Sequence, residues 1–113
     1  MRTHSLTFEG KHLHVAGQTW SVDYPISDAC LVDDIVIVIY DYMSGPLRSQ
    51  FRNAEGFDIA GRKLWTAEHP TNETVDAYVK ITDLDPLVLS NFAGFRCRID
   101  PATGRLLETV FTK

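Results

Sequence analysis

Six consecutive residues, Ile35-Val36-Ile37-Val38-Ile39-Tyr40, are all β-branched or aromatic. Branching at Cβ fits a pleated strand better than a helix. Because the run is apolar at every position, and not at every second one, we expect a strand that is covered on both faces. The preceding Asp33-Asp34 suits a two-residue turn. The sequence therefore predicts a hairpin whose second strand lies at the centre of a sheet.

Apolar and polar residues alternate through much of the remaining chain, and no stretch keeps a helical period over three turns. The other expected strands cover residues 5–8, 11–15, 18–22, 26–32, 64–67, 78–81, 87–89, 95–99 and 106–111, with one more around Phe57. For residues 83–91 a strand is preferred. The alternative there is one helical turn that begins at Asp85-Pro86.

Turn residues recur at wide intervals. Asp58-Ile59-Ala60-Gly61 and Asp100-Pro101-Ala102-Thr103-Gly104 each place Asp first and Gly where a left-handed residue closes a tight hairpin, and Val15-Ala16-Gly17 is a weaker version. The three glycines lie 44 and 43 positions apart, close to the length of a four-stranded propeller blade. Three units are too few to close a propeller ring. We expect a mainly β fold, with antiparallel hairpins in an open twisted sheet pair or a half-propeller-like arrangement.

Trp20 and Trp65 follow two of these turns. A buried indole keeps its N–H bonded to an acceptor, so we expect both side chains to be core anchors that donate to a neighbouring carbonyl.

Composition limits the class of protein. A chain of 113 residues with 44% hydrophobic and 23% charged residues has the size and content of one globular domain, which we assign to residues 1–113. The net charge is −4, and residues 1–47 hold two basic against six acidic groups, whereas residues 48–113 hold nine of each. This imbalance argues against direct nucleic-acid binding and is compatible with a basic protein partner.

No membrane span is expected, because the longest apolar run has six residues and a spanning helix needs about 20. The first residues, which include Glu9 and Lys11, do not form the apolar region of a signal peptide. We therefore expect a cytoplasmic protein in which Cys30 and Cys97 are buried thiols without a disulfide.

No group of residues matches a known catalytic arrangement, so we do not expect an enzyme. His69 has no recognisable nucleophile pattern beside it, and the carboxylates Asp33-Asp34 and Asp83 with Asp85 fall in predicted turns. His12 and His14 share one strand face, with His4 nearby, but an exposed polar face explains them better than a metal site. No catalytic residue, metal or cofactor is predicted.

Two predicted loops carry the candidate binding residues. The segment 43–53 contains Arg48, Phe51 and Arg52, and arginine and aromatic side chains are enriched at interface hot spots. The segment 66–76 contains Glu68, His69, Glu73 and Asp76, which we expect to form an acidic edge. Each flanks a strand that should be rigid, an arrangement typical of binding loops. The alternative is that both segments are merely solvated connections.

Gly56-Phe57-Asp58-Ile59-Ala60-Gly61-Arg62-Lys63-Leu64-Trp65 resembles the blade hairpin of quinoprotein-type propeller repeats, and residues 95–107 resemble a second copy. The order from Ile35 through Trp65 and Tyr78 to Gly104 is similar to that of small stand-alone bacterial proteins. Some of these are similar to immunity proteins encoded beside polymorphic or contact-dependent inhibition toxins. The resemblance covers residues 20–113 and brings no quinone-binding or calcium-binding signature, so it implies no cofactor.

The sequence and this resemblance together predict a cytoplasmic protein-binding protein. The resemblance implies an immunity protein that neutralises a bacterial toxin, and the acidic excess is compatible with a basic toxin domain as the partner. Two other classes stay open. One is a small-ligand-binding protein or enzyme with a cleft between strands, and the other is a structural subunit that assembles through strand edges.

Overall fold

In a computed structural model, residues 5–45, 50–71, 73 and 76–111 are described. Strands make up 57% of these residues, and the only helical element among them is a short 3₁₀ turn at Tyr42–Ser44. The prediction of a mainly antiparallel β fold is confirmed. The strands in chain order are β1 Leu6–Glu9, β2 His12–Val15, β3 Gln18–Ser21, β4 Ile26–Val32, β5 Ile35–Tyr40, β6 Ala54–Asp58, β7 Lys63–Thr66, β8 Tyr78–Leu84, β9 Leu87–Asn91, β10 Phe95–Ile99 and β11 Leu106–Phe111.

The strands form three separate antiparallel sheets in which sequence neighbours pair. The first sheet contains β1 to β3, the second β4 to β7 and the third β8 to β11. Residues 83–91 belong to β8, a turn and β9, so the preferred strand prediction is confirmed and no helical turn forms there. The described strands do not close into a barrel.

Tight turns set the register of the hairpins. Asp33 and Asp34 both have positive φ angles, 48° and 66°, and Ala16 and Gly17 have φ angles of 51° and 79°. Left-handed conformations at both central residues define the turn that best matches the twist of paired strands. Asp tolerates this conformation better than most residues, which explains the Asp33-Asp34 pair before β5.

Strand β5 is buried on both faces, as predicted. Ile37 and Ile39 pack with the third sheet, whereas Val36, Val38 and Tyr40 pack with the first sheet. The second sheet is therefore the middle layer of a three-layer stack. Its first strand, β4, contacts β1 on one side and β8 on the other.

Two tryptophans connect successive layers. Trp20 on β3 donates its indole N–H to the Ile59 carbonyl at 3.1 Å, and Trp65 on β7 donates to the Pro101 carbonyl at 2.9 Å. Each acceptor lies in the turn before the last strand of the next sheet. The predicted role of both indoles is thus confirmed, and each tryptophan fastens its own sheet to the following one.

The first sheet presents a polar face to solvent. On the first sheet the outward rows are Thr7, His14 and Thr19, then Glu9, His12 and Ser21. Their alternation with buried Leu13 and Val15 is what a half-buried antiparallel sheet requires. The part of the chain that the structure describes contains no helix long and apolar enough to cross a membrane.

Candidate functional site

The two loops that carry the candidate residues come together at one end of the stack. Gln50 donates its side-chain amide to the carbonyls of Thr71 and Glu73, at 2.8 and 3.2 Å. The described residues after β5 (41–45 and 50–53) and after β7 (67–71 and 73) therefore form one surface together with residues 92–94 between β9 and β10, and we call this surface the loop end.

Asn53 is the buried junction beneath the loop end and is 0% exposed. Its amide nitrogen donates to the carbonyls of Tyr40 and Tyr78, at 2.9 and 2.7 Å, and its amide oxygen accepts from the Tyr78 N–H at 2.9 Å. Both amide protons and the amide oxygen of Asn53 are thus bonded to backbone groups. Asn53 joins the second sheet to the third.

A second buried junction involves Asp76, which is 2% exposed, so its expected place in an acidic surface edge is wrong. One carboxylate oxygen accepts from the backbone and hydroxyl of Thr71, and the other accepts from the Asn91 amide at 2.5 Å. Asn91 in turn accepts from the Phe95 N–H at 2.8 Å. Because these polar groups satisfy one another, the junction fixes both the loop after β7 and the turn that contains Phe92.

Three large apolar side chains are exposed at the loop end. Tyr42 is 44% exposed, Met43 is 73% exposed and Phe92 is 55% exposed. The rings of Tyr42 and Phe92 lie 5.6 Å apart between centroids, although the two residues follow strands of different sheets, β5 and β9. Asp41 caps the 3₁₀ turn by accepting from the Met43 N–H at 3.0 Å. We call Tyr42, Met43 and Phe92 the aromatic patch.

Of the three residues predicted in the first loop, only Arg52 is a described, exposed side chain. Arg48 lies outside the described residues. Phe51 is 9% exposed and packs against Tyr24 and Tyr40, with centroid distances of 4.7 and 6.1 Å. The expectation that Phe51 contacts a partner directly is therefore corrected, because its ring fills the core beneath the loop.

The residues of the second loop divide into exposed and structural groups. Glu73 is exposed, and its N–H donates to the Thr71 hydroxyl. Glu68 has an exposed side chain, but its carboxylate accepts from the Leu106 N–H at 2.8 Å and its carbonyl accepts from the Tyr78 hydroxyl. Glu68 thus fastens the loop to the edge strand β11, which gives it a structural role.

His69 lies half-buried against the ring of Tyr78, with centroids 4.5 Å apart. Both ring nitrogens are buried, and neither has a hydrogen-bond partner among the described residues. The pKa of His69 is lowered to about 4, mainly because burial disfavours the charged imidazolium; the Asp76 carboxylate opposes this shift, and the Arg52 guanidinium adds to it. His69 is therefore neutral at pH 7 and lies beneath the surface of the loop end.

The two thiols have the properties of core residues. Burial raises the pKa of Cys30 to about 12 and that of Cys97 to about 11. Both are free cysteines; Cys97 is buried, as predicted, whereas Cys30 is only half-buried. A protonated thiol is a poor nucleophile and a poor metal ligand.

The histidines of the first sheet behave as a solvated face. His12 and His14 are exposed, and His14 shares a 2.9 Å hydrogen bond with the Thr19 hydroxyl. Among the described residues no group of three or more His, Cys, Asp or Glu side chains is arranged to hold a metal ion. His4 lies outside the described residues.

The sequence reasoning did not identify the aromatic patch. A weak signal was present, because Tyr42 and Met43 stand between the end of a strand and the Gly45-Pro46 break, where polar residues are usual. Phe92 likewise is a large apolar residue in a short turn, where polar residues are usual. The contact between Tyr42 and Phe92 joins residues 50 positions apart and depends on how the sheets stack.

A family model described as a domain of unknown function (DUF7957) matches residues 3–111. No curated protein and no solved structure matches the chain.

Proposed function

The chain belongs to this family of unknown function, and we propose that it is a cytoplasmic protein-binding protein, specifically an immunity protein that neutralises a bacterial toxin by direct binding. The observation that carries the proposal is the aromatic patch at the loop end. The resemblance to small bacterial immunity proteins supports the toxin as partner.

The patch has the composition of an interface hot spot. Tyrosine and other aromatic side chains dominate such sites, and methionine adapts its shape to a partner. Exposed apolar groups that cluster mark interaction surfaces, whereas single exposed ones do not. Arg52 and Glu73 lie at the same loop end and can form the polar rim that surrounds a hot spot.

Rigid support lowers the cost of binding. Tyr42 and Met43 lie in a capped 3₁₀ turn, and Phe92 lies in a short hairpin turn. The buried Asn53 bonds the end of β5, before the first turn, and the buried Asp76 bonds Asn91, before the second. A side chain that is already fixed in its binding conformation loses little entropy when a partner covers it. The loop end is therefore suited to tight binding without rearrangement.

Charge favours a basic partner. The chain has a net charge of −4, and the excess of acidic groups lies in residues 1–47. An acidic protein attracts a basic domain over long range and accelerates association at low salt. Toxin domains that act on nucleic acid need basic surfaces, so an acidic inhibitor that covers such a surface blocks substrate binding without performing chemistry.

Coexpression tests the proposal. The chain is produced together with the toxin domain encoded by the adjacent gene, and growth and co-purification are measured. We expect the wild-type chain to restore growth and to elute with the toxin domain as one complex. Toxicity that persists although folded chain is present, with no complex on the column, would exclude the immunity function.

A further inference from the structure

The last strand, β11, leaves one side of its backbone uncovered. It stands at the end of the third sheet, where β10 is its neighbour. Among the described residues, no hydrogen bond joins the backbone of residues 107–111 to any element other than β10. Glu68 covers only the first residue of the strand, through the Leu106 N–H. A row of open N–H and C=O groups is a template on which a further strand can pair.

The other edge strands of the three sheets are shorter or covered. β1, β3 and β7 have four residues each, whereas β11 has six. β4 and β8 lie against each other, and Asp28 on β4 accepts from the Ile81 N–H on β8 at 2.8 Å. Among the described strands, β11 is therefore the longest edge that no other sheet covers.

Half of the side chains on β11 are both apolar and exposed. Leu107 is 51% exposed, Val110 is 49% exposed and Phe111 is 58% exposed. Natural proteins discourage strand pairing by placing lysine or proline on an open edge. Residues 106–111 contain neither, and their one charged residue is Glu108. The strand thus offers apolar side chains as well as open backbone groups.

The charge of the third sheet favours a second copy of the chain over a basic partner at this edge. Residues 78–111 are electrically neutral, because four basic residues balance four acidic ones: Lys80, Arg96, Arg98 and Arg105 against Asp83, Asp85, Asp100 and Glu108. The acidic excess of the chain lies in residues 1–47. Two neutral sheets approach each other without net repulsion, whereas a basic domain gains no long-range attraction there.

We propose that two copies of the chain pair antiparallel through β11, around a two-fold axis at Thr109, so that their third sheets join into one continuous sheet. Most homo-oligomers are symmetric dimers of this kind. Alternate residues of a strand point to opposite faces, and residues directly opposite each other share a face. The axis of a symmetric pair therefore passes through a residue and not between two.

Thr109 is the residue at which the side chains of the two copies match. An axis at Glu108 would place two glutamates directly opposite each other, which is destabilising. An axis at Val110 or at Leu107 would pair only three residues of each strand. The axis at Thr109 pairs residues 107–111 with each other: Leu107 lies opposite Phe111, Glu108 opposite Val110, and Thr109 opposite itself. Pairs of aromatic with aliphatic side chains and of two threonines stabilise neighbouring strands.

Sedimentation equilibrium of the full chain, from micromolar to millimolar concentration, tests the proposal. The paired strands are smaller than a standard interface, so we expect a reversible dimer with a micromolar dissociation constant. Thr109→Lys and Thr109→Glu each place like charges on the axis and should weaken dimerisation at least about fivefold. An equal mixture of the two variants should dimerise at least as well as wild type, because opposite charges then meet. Thr7→Lys, at an exposed threonine of the first sheet, is the matched control.

A second variant, Val110→Glu, separates pairing from folding. Val110 lies directly opposite Arg96 of its own chain, so the new carboxylate finds a cation in the monomer. In the dimer it faces Glu108 of the second copy, and this happens twice because of the symmetry. We expect a melting temperature at least equal to that of wild type and dimerisation about tenfold weaker.

The proposal is overturned if the wild-type chain stays monomeric at millimolar concentration. It is also overturned if Thr109→Lys and Val110→Glu dimerise like wild type, or if mixing the two Thr109 variants restores nothing. No toxin is present in this assay, so its outcome is independent of the immunity function.

Discussion

Glycine conformation and tryptophan packing depend on each other at single residues of this chain. Gly61 has a φ of 94° and Gly104 a φ of 76°. A Cβ added at Gly61 would lie 2.7 Å from the Trp20 ring, and one added at Gly104 would lie 2.5 Å from the Trp65 ring. The glycines are therefore needed both for the left-handed turn and for the close approach of the indole.

Gly17 separates these two effects. Its φ is 79°, but an added Cβ there would meet nothing within 4 Å. We expect Gly17→Val to lower the free energy of unfolding by about 1–3 kcal/mol through backbone strain alone. Gly61→Val and Gly104→Val should each cost at least about 1 kcal/mol more, because overpacking adds to the strain. Chemical denaturation measures all three, and equal losses would contradict the packing role of the tryptophans.

His69 makes the stability of the protein depend on pH. Its pKa is about 4 in the folded protein and 6.5 when unperturbed, so between these values the unfolded chain binds more protons than the folded one. Stability should therefore fall as the pH is lowered from 7 to 5, by about 1 kcal/mol after allowance for partial exposure of the ring. His69→Phe keeps an aromatic ring against Tyr78 and should remove the loss of stability that His69 causes between pH 7 and pH 5.

The measurement is urea denaturation of wild type and His69→Phe at pH 7 and pH 5. His12→Gln, at an exposed position on the first sheet, serves as control and should retain the wild-type dependence. If His69→Phe and wild type lose the same stability, the imidazole is not buried as described.

Strands and turns could be predicted from the sequence where they depend only on residues that are neighbours along the chain. Alternation, β-branching and Asp-x-x-Gly turns are properties of neighbouring residues, and β4, β5, β10 and β11 begin and end where the sequence places them. The burial of Phe51 is not local. Its ring occupies space left by Gly45, where an added Cβ would lie 2.1 Å away, and it stacks on side chains of other segments.

Asn53 joins two of these elements, and its removal should be costly. Asn53→Ala leaves the Tyr78 N–H and the carbonyls of Tyr40 and Tyr78 without their side-chain partner in a buried site. Each unsatisfied buried group costs about 1–3 kcal/mol, so we expect a loss of at least about 3 kcal/mol in the free energy of unfolding.

Thermal or chemical denaturation measures this loss. Gln50→Ala is the control, since Gln50 also donates to a backbone carbonyl but lies at a partly exposed position. This substitution should lower the free energy of unfolding by less than about 1.5 kcal/mol. An Asn53→Ala variant as stable as Gln50→Ala would show that the two sheets do not depend on this junction.

At the scale of the molecule, the sequence predicted a single β domain with binding loops, and the structure brings those loops together. Arg52, Glu68 and Glu73 are exposed there, and Glu68 also accepts from the Leu106 N–H, whereas His69 and Phe51 lie beneath the surface. The aromatic patch could not be predicted in full, because it arises where the second and third sheets meet. Which residues of a loop are exposed depends on what packs beneath it, and local patterns do not contain that information.

The central claim is that the loop end binds a protein through the aromatic patch. Calorimetric titration with the toxin domain encoded by the adjacent gene measures the dissociation constant of wild type, Tyr42→Ala and Phe92→Ala. Leu64→Ala, on β7, is a control at a similarly exposed position. We expect each aromatic truncation to weaken binding about thirtyfold or more, equivalent to about 2 kcal/mol, and the control to bind like wild type. Wild-type affinity in both aromatic variants, with all proteins folded, would contradict the account.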